Sequence, residues 1–198
     1  MKIILVRHGE TEENKAGIMQ GTGVGVGMLS DLGRYQACNV AEKLKDENVD
    51  VIYSSDLPRA MNTAKKIHEF HDVDLVSEEG LREQNLGKYE GGSIDDYKKD
   101  VMGLGNKWID FRPEGGETKK EFHDRVAAAF DRIIEVNEGK NIVLVGHGGS
   151  LFCLMHYLQG EPMNRESEYW HGNTGVTHLE KDGDKWKVVK FNDMEHLK

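Results

Sequence analysis

The sequence predicts an α/β fold, a three-layer α/β/α sandwich with a mostly parallel sheet. Three short apolar runs rich in β-branched residues, 3–6, 49–53 and 142–145, read as strands buried on both faces. Between them the apolar period lengthens to that of a helix. Strands alternating with helical segments in this way build a parallel sheet covered by helices.

Taken in order, Ile3-Ile4-Leu5-Val6 is the first strand. Leu32, Tyr35, Cys38, Val40, Ala41 and Leu44 then trace one face of a helix, capped by Ser30 or Asp31. Val49 to Tyr53 is the second strand. Asp56 as cap and Pro58 in the first turn open a helix that runs through Ile67 and Phe70. Thr118 with Glu121 forms a capping box, followed by the apolar stripe Phe122, Val126, Phe130, Ile133 and Ile134, with Gly139 placed to end the helix. Ile142-Val143-Leu144-Val145 is the third buried strand, and a short helix follows Gly149. Gly175 to Glu180 and Lys185 to Val189 read as an antiparallel pair joined around Asp182-Gly183. Two stretches resist the alternation: the glycine-rich residues 21–27, and residues 84–117, which lack a sustained period.

The 198 residues favour one domain, and apolar residues plus glycine make up about 46% of them, the proportion of a globular chain with a full core. With 26 basic and 35 acidic residues the formal charge is −9, and no basic stripe suited to nucleic acid or an anionic membrane stands out. Cys38 and Cys153 are the only cysteines, without a C-x-x-C, so no disulfide framework or thiolate zinc site is indicated. The first apolar run is four residues long, shorter than a leader's apolar region of about 7–15. A cytoplasmic location is expected.

One pattern occurs twice. Ile3-Ile4-Leu5-Val6-Arg7-His8-Gly9 and Ile142-Val143-Leu144-Val145-Gly146-His147-Gly148 each deliver a histidine and then a glycine at the carboxyl end of a strand. Ligands of open parallel sheets bind at that edge, so the two imidazoles face one crevice if the strands are neighbours. A glycine beside each lets a ligand approach the backbone closely. Arg7 adjoins the first histidine, and Arg59 lies near the start of the helix after the second strand. Alone, Arg59 reads as a helix-surface charge. Together, two guanidiniums and two imidazoles make an anion pocket, and phosphoryl is the anion that suits forked arginine donors. A metal is the weaker reading, because H-E-x-x-H is absent and each histidine is followed by glycine. Residues 21–27 read as a mobile lip built on Gly23, Gly25 and Gly27 rather than a nucleotide cradle, since no lysine follows them and no strand precedes them.

Arg7-His8-Gly9-Glu10-Thr11, Ser54-Ser55-Asp56-Leu57-Pro58-Arg59-Ala60, Leu81-Arg82-Glu83, Gly115-Gly116-Glu117 and Gly146-His147-Gly148-Gly149 occur in this order. Together they resemble the histidine phosphatase superfamily, and more narrowly its phosphoglycerate-mutase-like branch. The resemblance implies one domain over residues 1–198 with a small inserted cap around 84–117. It implies that His8 takes the phosphoryl group as phosphohistidine, with Arg7, Arg59 and His147 around the phosphate and Glu83 as proton donor. Asn14, Gln20, Gly21 and Gly148 would line the substrate side. From the residues alone Glu83 reads as a solvated loop charge, so its role rests on the resemblance. The chain departs from the branch before its first long helix, where the glycine-rich run leads into Met28-Leu29-Ser30 instead of a Pro-Leu-Thr segment.

The expected activity is metal-independent hydrolysis of small phosphomonoesters, with no cofactor and with a small phosphate ester as substrate, and with no nucleic acid or membrane as partner. A bisphosphoglycerate-dependent phosphoglycerate mutase is the neighbouring reading, and a non-catalytic phospho-ligand binder the reading from another class. Mutases of this branch resemble one another in carrying a longer insertion between the acid and Gly-Gly-Glu, and here that stretch runs only from Gln84 to Glu114. The sequence assigns no oligomeric state.

Overall fold

The computed structural model describes residues 1–23, 27–164 and 166–198, Asn106 by its backbone alone. In chain order the elements are β1 (Lys2–Arg7), α1 (Glu12–Ala16), α2 (Asp31–Leu44), β2 (Val51–Ser54), α3 (Pro58–His68) and β3 (Asp74–Ser77). They continue with α4 (Ile94–Met102), α5 (Lys119–Val136), β4 (Ile142–Gly146), α6 (Gly148–Gln159), β5 (Val176–Asp182) and β6 (Lys185–Asp193). Among the described residues the strands form one six-stranded sheet in the order β3-β2-β4-β1-β5-β6. Strands β3, β2, β4 and β1 run parallel, and β5 and β6 close the far edge antiparallel.

Side chains alternate faces along a strand, and the central strands divide accordingly. Ile3, Leu5, Ile142 and Leu144 enter one apolar cluster with Phe122, Val126, Phe130 and Ile133 of α5 and Leu151 and Phe152 of α6. Ile4, Val6, Val143 and Val145 enter a second with Val40 and Leu44 of α2 and Ala60, Ala64 and Ile67 of α3. A core on each face is why these strands read as unbroken apolar runs, and it makes the three layers expected from the sequence. Burying one such Leu, Ile or Phe is worth about 1.5–3 kcal/mol. No helix among the described residues is long and apolar enough to cross a membrane.

Several boundaries differ from the sequence reading, each for a tertiary reason. Ser30 caps α2, accepting from the Gly33 amide, but the buried face is Gly33, Gln36, Ala37, Val40, Ala41 and Leu44. Leu32 and Tyr35 are exposed, and so is Cys38. Gly33 sets that rotation by lying against the backbone of Glu10, where a side chain would not fit. Leu57, not Asp56, is the N-cap of α3, because the Asp56 carboxylate pairs with Arg82. That helix stops at His68, short of Phe70. The capping box of Thr118 and Glu121 is present, but α5 ends at Val136 and Asn137, and Gly139, at φ 80°, turns the chain after it. Strand β2 starts two residues late, and β6 runs on to Asp193. Neither α1 nor the edge strand β3 has a sequence signal long enough to read. Within residues 84–117, α4 and a 3₁₀ segment at Gly105–Ile109 stand where no period was visible. Of the glycine-rich run, Gly25 and its neighbours 24 and 26 lie outside the described residues.

Candidate active site

Strand register assembles the site. Val6 pairs with Val145 and Arg7 with Gly146, while Ser54 of β2 pairs with Val145. The next residue of each strand is therefore Ser55, His147 or His8, side by side at the carboxyl edge. The two imidazole rings lie 5.2 Å apart, and both are buried.

The hydrogen bonds fix both tautomers. The Gly9 carbonyl can only accept, so His8 Nδ1–H donates to it at 2.7 Å and the lone pair of this imidazole sits on Nε2. Arg59 Nε can only donate, and it does so to His147 Nδ1 at 3.1 Å. His147 Nε2–H then donates to Ser55 Oγ at 2.8 Å. Gly9 holds its place because a Cβ there would lie 2.5 Å from the Gly33 carbonyl oxygen. Its amide donates to Thr63 Oγ1, which in turn donates to the Arg59 carbonyl, so the His8 turn and α3 are tied together.

Arg59 is 1% exposed. Its Nη2 donates to the Gly21 carbonyl at 2.9 Å, and Arg7 Nη1 donates to the His171 carbonyl at 2.7 Å. Arg59 Nη1 and Arg7 Nε are buried without a hydrogen-bond partner among the described residues. A buried charged donor left unpaired is costly, which makes these two groups the strongest pointer to an anion. Burial lowers the pKa of both guanidiniums, and nearby Glu83 opposes that.

Glu83 is half-buried on the segment after a 3₁₀ turn at Glu79–Leu81. Its Oε2 accepts from the Gly149 amide in the first turn of α6 at 2.8 Å, and its Oε1 from the Gln84 amide at 2.9 Å. A Cβ added at Gly149 would lie 2.1 Å from Glu83 Oε1, so a larger residue there would displace the carboxylate. Gly148, the first residue of α6, lies against Arg7, where an added Cβ would stand 3.5 Å from Nε.

Asn14 and Gln20 are largely engaged with their neighbours. Gln20 Oε1 accepts from Thr11 Oγ1 and Asn14 Nδ2, and Gln20 Nε2 donates to Glu13. Asn14 Oδ1 accepts from the Thr11 amide and from Asn173 Nδ2, which also donates to the His8 carbonyl. Gln20 and Gly21, but not Asn14, line a cavity of about 180 Å³ together with Glu13, Met19, Glu90 and Gly91. The structure thus brings Arg7, His8, Arg59, His147, Gly148 and Glu83 to one strand edge, with Gly21 against Arg59 and Asn14 behind them. Sequence reasoning missed Ser55, although it stands in a quoted motif. It also missed Asn173, whose segment Asn173 to Thr177 resembles the late strand of the branch, and His171, which carries no local signal.

The family description of the histidine phosphatase superfamily (branch 1) matches residues 3–194. The chain belongs to that superfamily. Its members are enzymes with phosphatase or phosphotransfer activity. Among relatives within the superfamily, phosphoglycerate mutase-like protein 4 of Arabidopsis thaliana is 35% identical over 205 residues, covering 99% of this chain and 86% of the relative. Among solved structures, YhfR of Bacillus stearothermophilus superposes with a TM-score of 0.88 at 29% identity, covering 100% of this chain and 99% of that one. The phosphoserine phosphatase of Entamoeba histolytica, in complex with 3-phosphoglyceric acid, gives 0.85 at 31% identity, covering 99% and 98%.

The buried histidines make stability depend on pH. Burial above all, with Arg59 second, holds the imidazoles of His8 and His147 well below the ordinary histidine range, and burial brings His171 down to about 4. As pH falls below about 6.5, these histidines protonate in the unfolded chain but not in the fold. The unfolded state then binds more protons, so stability falls with pH from about 6.5 towards 4. The urea midpoint is expected to drop between pH 7 and pH 5, with a shallower drop in His171→Gln. A midpoint flat over that interval would contradict the neutral histidines.

Proposed function

We propose that the chain is a phosphomonoester hydrolase that works through phosphohistidine. The observation that carries this reading is the free Nε2 of His8, in a site where Arg59 and Arg7 stand close enough to act on its charge and each keeps a buried N–H group with no partner among the described residues. A neutral imidazole nitrogen is a competent nucleophile for phosphorus, and fixed donors stabilise the charge that builds on the equatorial oxygens.

In the first step the Nε2–P bond forms as the P–O ester bond breaks, and Glu83 hands its proton to the departing alkoxide. In the second, water attacks phosphorus and gives a proton to the Glu83 carboxylate. The N–P bond breaks, and phosphate leaves with His8 neutral again. Arg7 and Arg59 supply the positive charge throughout, so the reading needs no metal. His147, held by Arg59 and Ser55, completes the pocket wall.

Residues 84–117 act as a small cap within one domain. Their ends are joined by hydrogen bonds between Asn85 and Glu117 and between Lys88 and Glu114. Their middle is stitched to the rim, since the Met19 amide donates to the Gly92 carbonyl, the Gly91 amide donates to the Met19 carbonyl, and Glu90 accepts from the Thr22 amide.

The names of the relatives divide between mutase-like and phosphatase, and the mouth of the site favours hydrolysis. A mutase must hold the carboxylate of a phosphoglycerate while it reorients. The cavity beside Arg59 presents the carboxylates of Glu13 and Glu90, and none of its lining residues is cationic. A panel of alkyl, sugar and aryl phosphates, followed for free phosphate and for isomerised product with and without 2,3-bisphosphoglycerate, tests this. Phosphate release is expected to dominate. Bisphosphoglycerate-dependent conversion of 3- to 2-phosphoglycerate running faster than release from every ester would establish the mutase instead.

A further inference from the structure

The Gly-Gly-Glu motif has no part in the mechanism above, yet it leads to an arginine whose N–H groups are all engaged. Arg125, on the second turn of α5, donates from Nη1 to the carbonyls of Gly80 and Arg82 at 3.0 and 3.2 Å. Its Nη2 donates to the carbonyl of Glu83 at 3.2 Å and to Glu117 Oε1 at 2.6 Å, and its Nε donates to Glu117 Oε2 at 3.3 Å. Residues 82–86 lie outside helix and strand, so the carbonyls at 82 and 83 have no ladder to satisfy them. Glu117 grips the same segment from the other side. Its Oε1 accepts from the Asn85 amide at 2.9 Å, its carbonyl accepts from Gln84 Nε2 at 3.0 Å, and its amide donates to the Asn85 carbonyl at 3.0 Å.

We propose that Arg125, oriented by Glu117, is a positioning residue that holds the backbone around Glu83 so that its carboxyl meets the leaving oxygen. The inference rests on the reading of Glu83 as proton donor. The five N–H groups of a guanidinium lie in one rigid plane, so five bonds fix the segment in more than one direction. A lysine, with three rotatable donors on one atom, cannot reproduce that geometry. General acid catalysis falls steeply when the acid is displaced by about an ångström.

The test uses the leaving group as the readout. Departure of an alkyl alcohol needs the proton, whereas nitrophenolate leaves without it. Arg125→Gln, Arg125→Lys, Glu117→Gln and Glu83→Gln are compared with the parent on glycerol phosphate and on p-nitrophenyl phosphate, each with a melting curve. Glu83→Gln is expected to lose about 10²- to 10⁴-fold in kcat on the alkyl ester and little on the aryl ester. Arg125→Gln is expected to follow with about 10- to 10²-fold on the alkyl ester, KM nearly unchanged, and less than about threefold on the aryl ester. Arg125→Lys should not restore the alkyl reaction. Glu117→Gln, which leaves Arg125 in place, should show the same selectivity more weakly and serves if Arg125→Gln does not fold.

Equal losses on both esters, or a raised KM with kcat intact, would overturn the proposal in favour of general damage or direct substrate binding. If Glu83→Gln is selective and neither the Arg125 nor the Glu117 variants are, the positioning role alone falls. If Glu83→Gln shows no selectivity, the acid assignment falls and takes this inference with it.

Discussion

His8→Ala is expected to abolish turnover, with kcat down by about 10⁵- to 10⁶-fold, the scale seen when the nucleophile of a covalent mechanism is removed. In the fold, Nδ1 of this imidazole is committed to the Gly9 carbonyl, so Nε2 alone is free to form a bond. His147 cannot substitute, because its Nδ1 accepts from Arg59 and its Nε2–H is engaged with Ser55. Parent enzyme quenched during turnover of a ³²P-labelled ester should carry acid-labile, alkali-stable phosphate, as a phosphoramidate does, and His8→Ala should carry none. Label on a serine or an aspartate, or full activity in His8→Ala, would end the phosphohistidine mechanism.

The second large effect concerns Arg59. Arg59→Met keeps much of the side-chain volume and removes a charged group that is 1% exposed, with Nη1 unpartnered among the described residues and Nη2 on the Gly21 carbonyl. Loss of one preorganised donor to developing charge costs about 10²- to 10³-fold in kcat. Here the same change also frees His147 from its tautomer, so about 10³-fold or more in kcat/KM is expected. Stability should move the other way, because burying a cation without close ion pairing costs desolvation energy that an apolar side chain does not. Arg59→Met should therefore melt as high as the parent or higher in phosphate-free buffer. Inorganic phosphate should raise the melting temperature of the parent and leave that of the variant unmoved. Arg59→Lys should behave like the methionine variant in kcat/KM, since one ammonium cannot reach His147, Gly21 and an oxyanion together. A variant with near-normal kcat/KM and an intact response to phosphate would remove Arg59 from the pocket.

The sequence by itself determined the strands that carry Arg7, His8 and His147, the layering around them and the cap of α5. These are local signals: apolar runs set by burial on both faces, and an N-cap set by unsatisfied amides of the first turn. It also placed both histidines at strand ends, and parallel pairing of β1 with β4 turned that echo into one site. What the tertiary structure alone decided is how the side chains there are held. The bond from Arg59 to His147 spans 88 positions, that from Arg7 to the His171 carbonyl 164, and that from Arg125 to the Glu83 carbonyl 42. No period or spacing connects such residues, because the backbone segments meet only after the sheet has formed. The same holds for Asp56, whose expected place as a cap lost to a guanidinium 26 positions away, and for the face of α2, which turned to fit the close approach of Gly33 to Glu10. Local backbone preferences are worth tenths of a kcal/mol to about 1 kcal/mol per residue, and a bidentate, partly buried charged pair or a packed glycine overrides them.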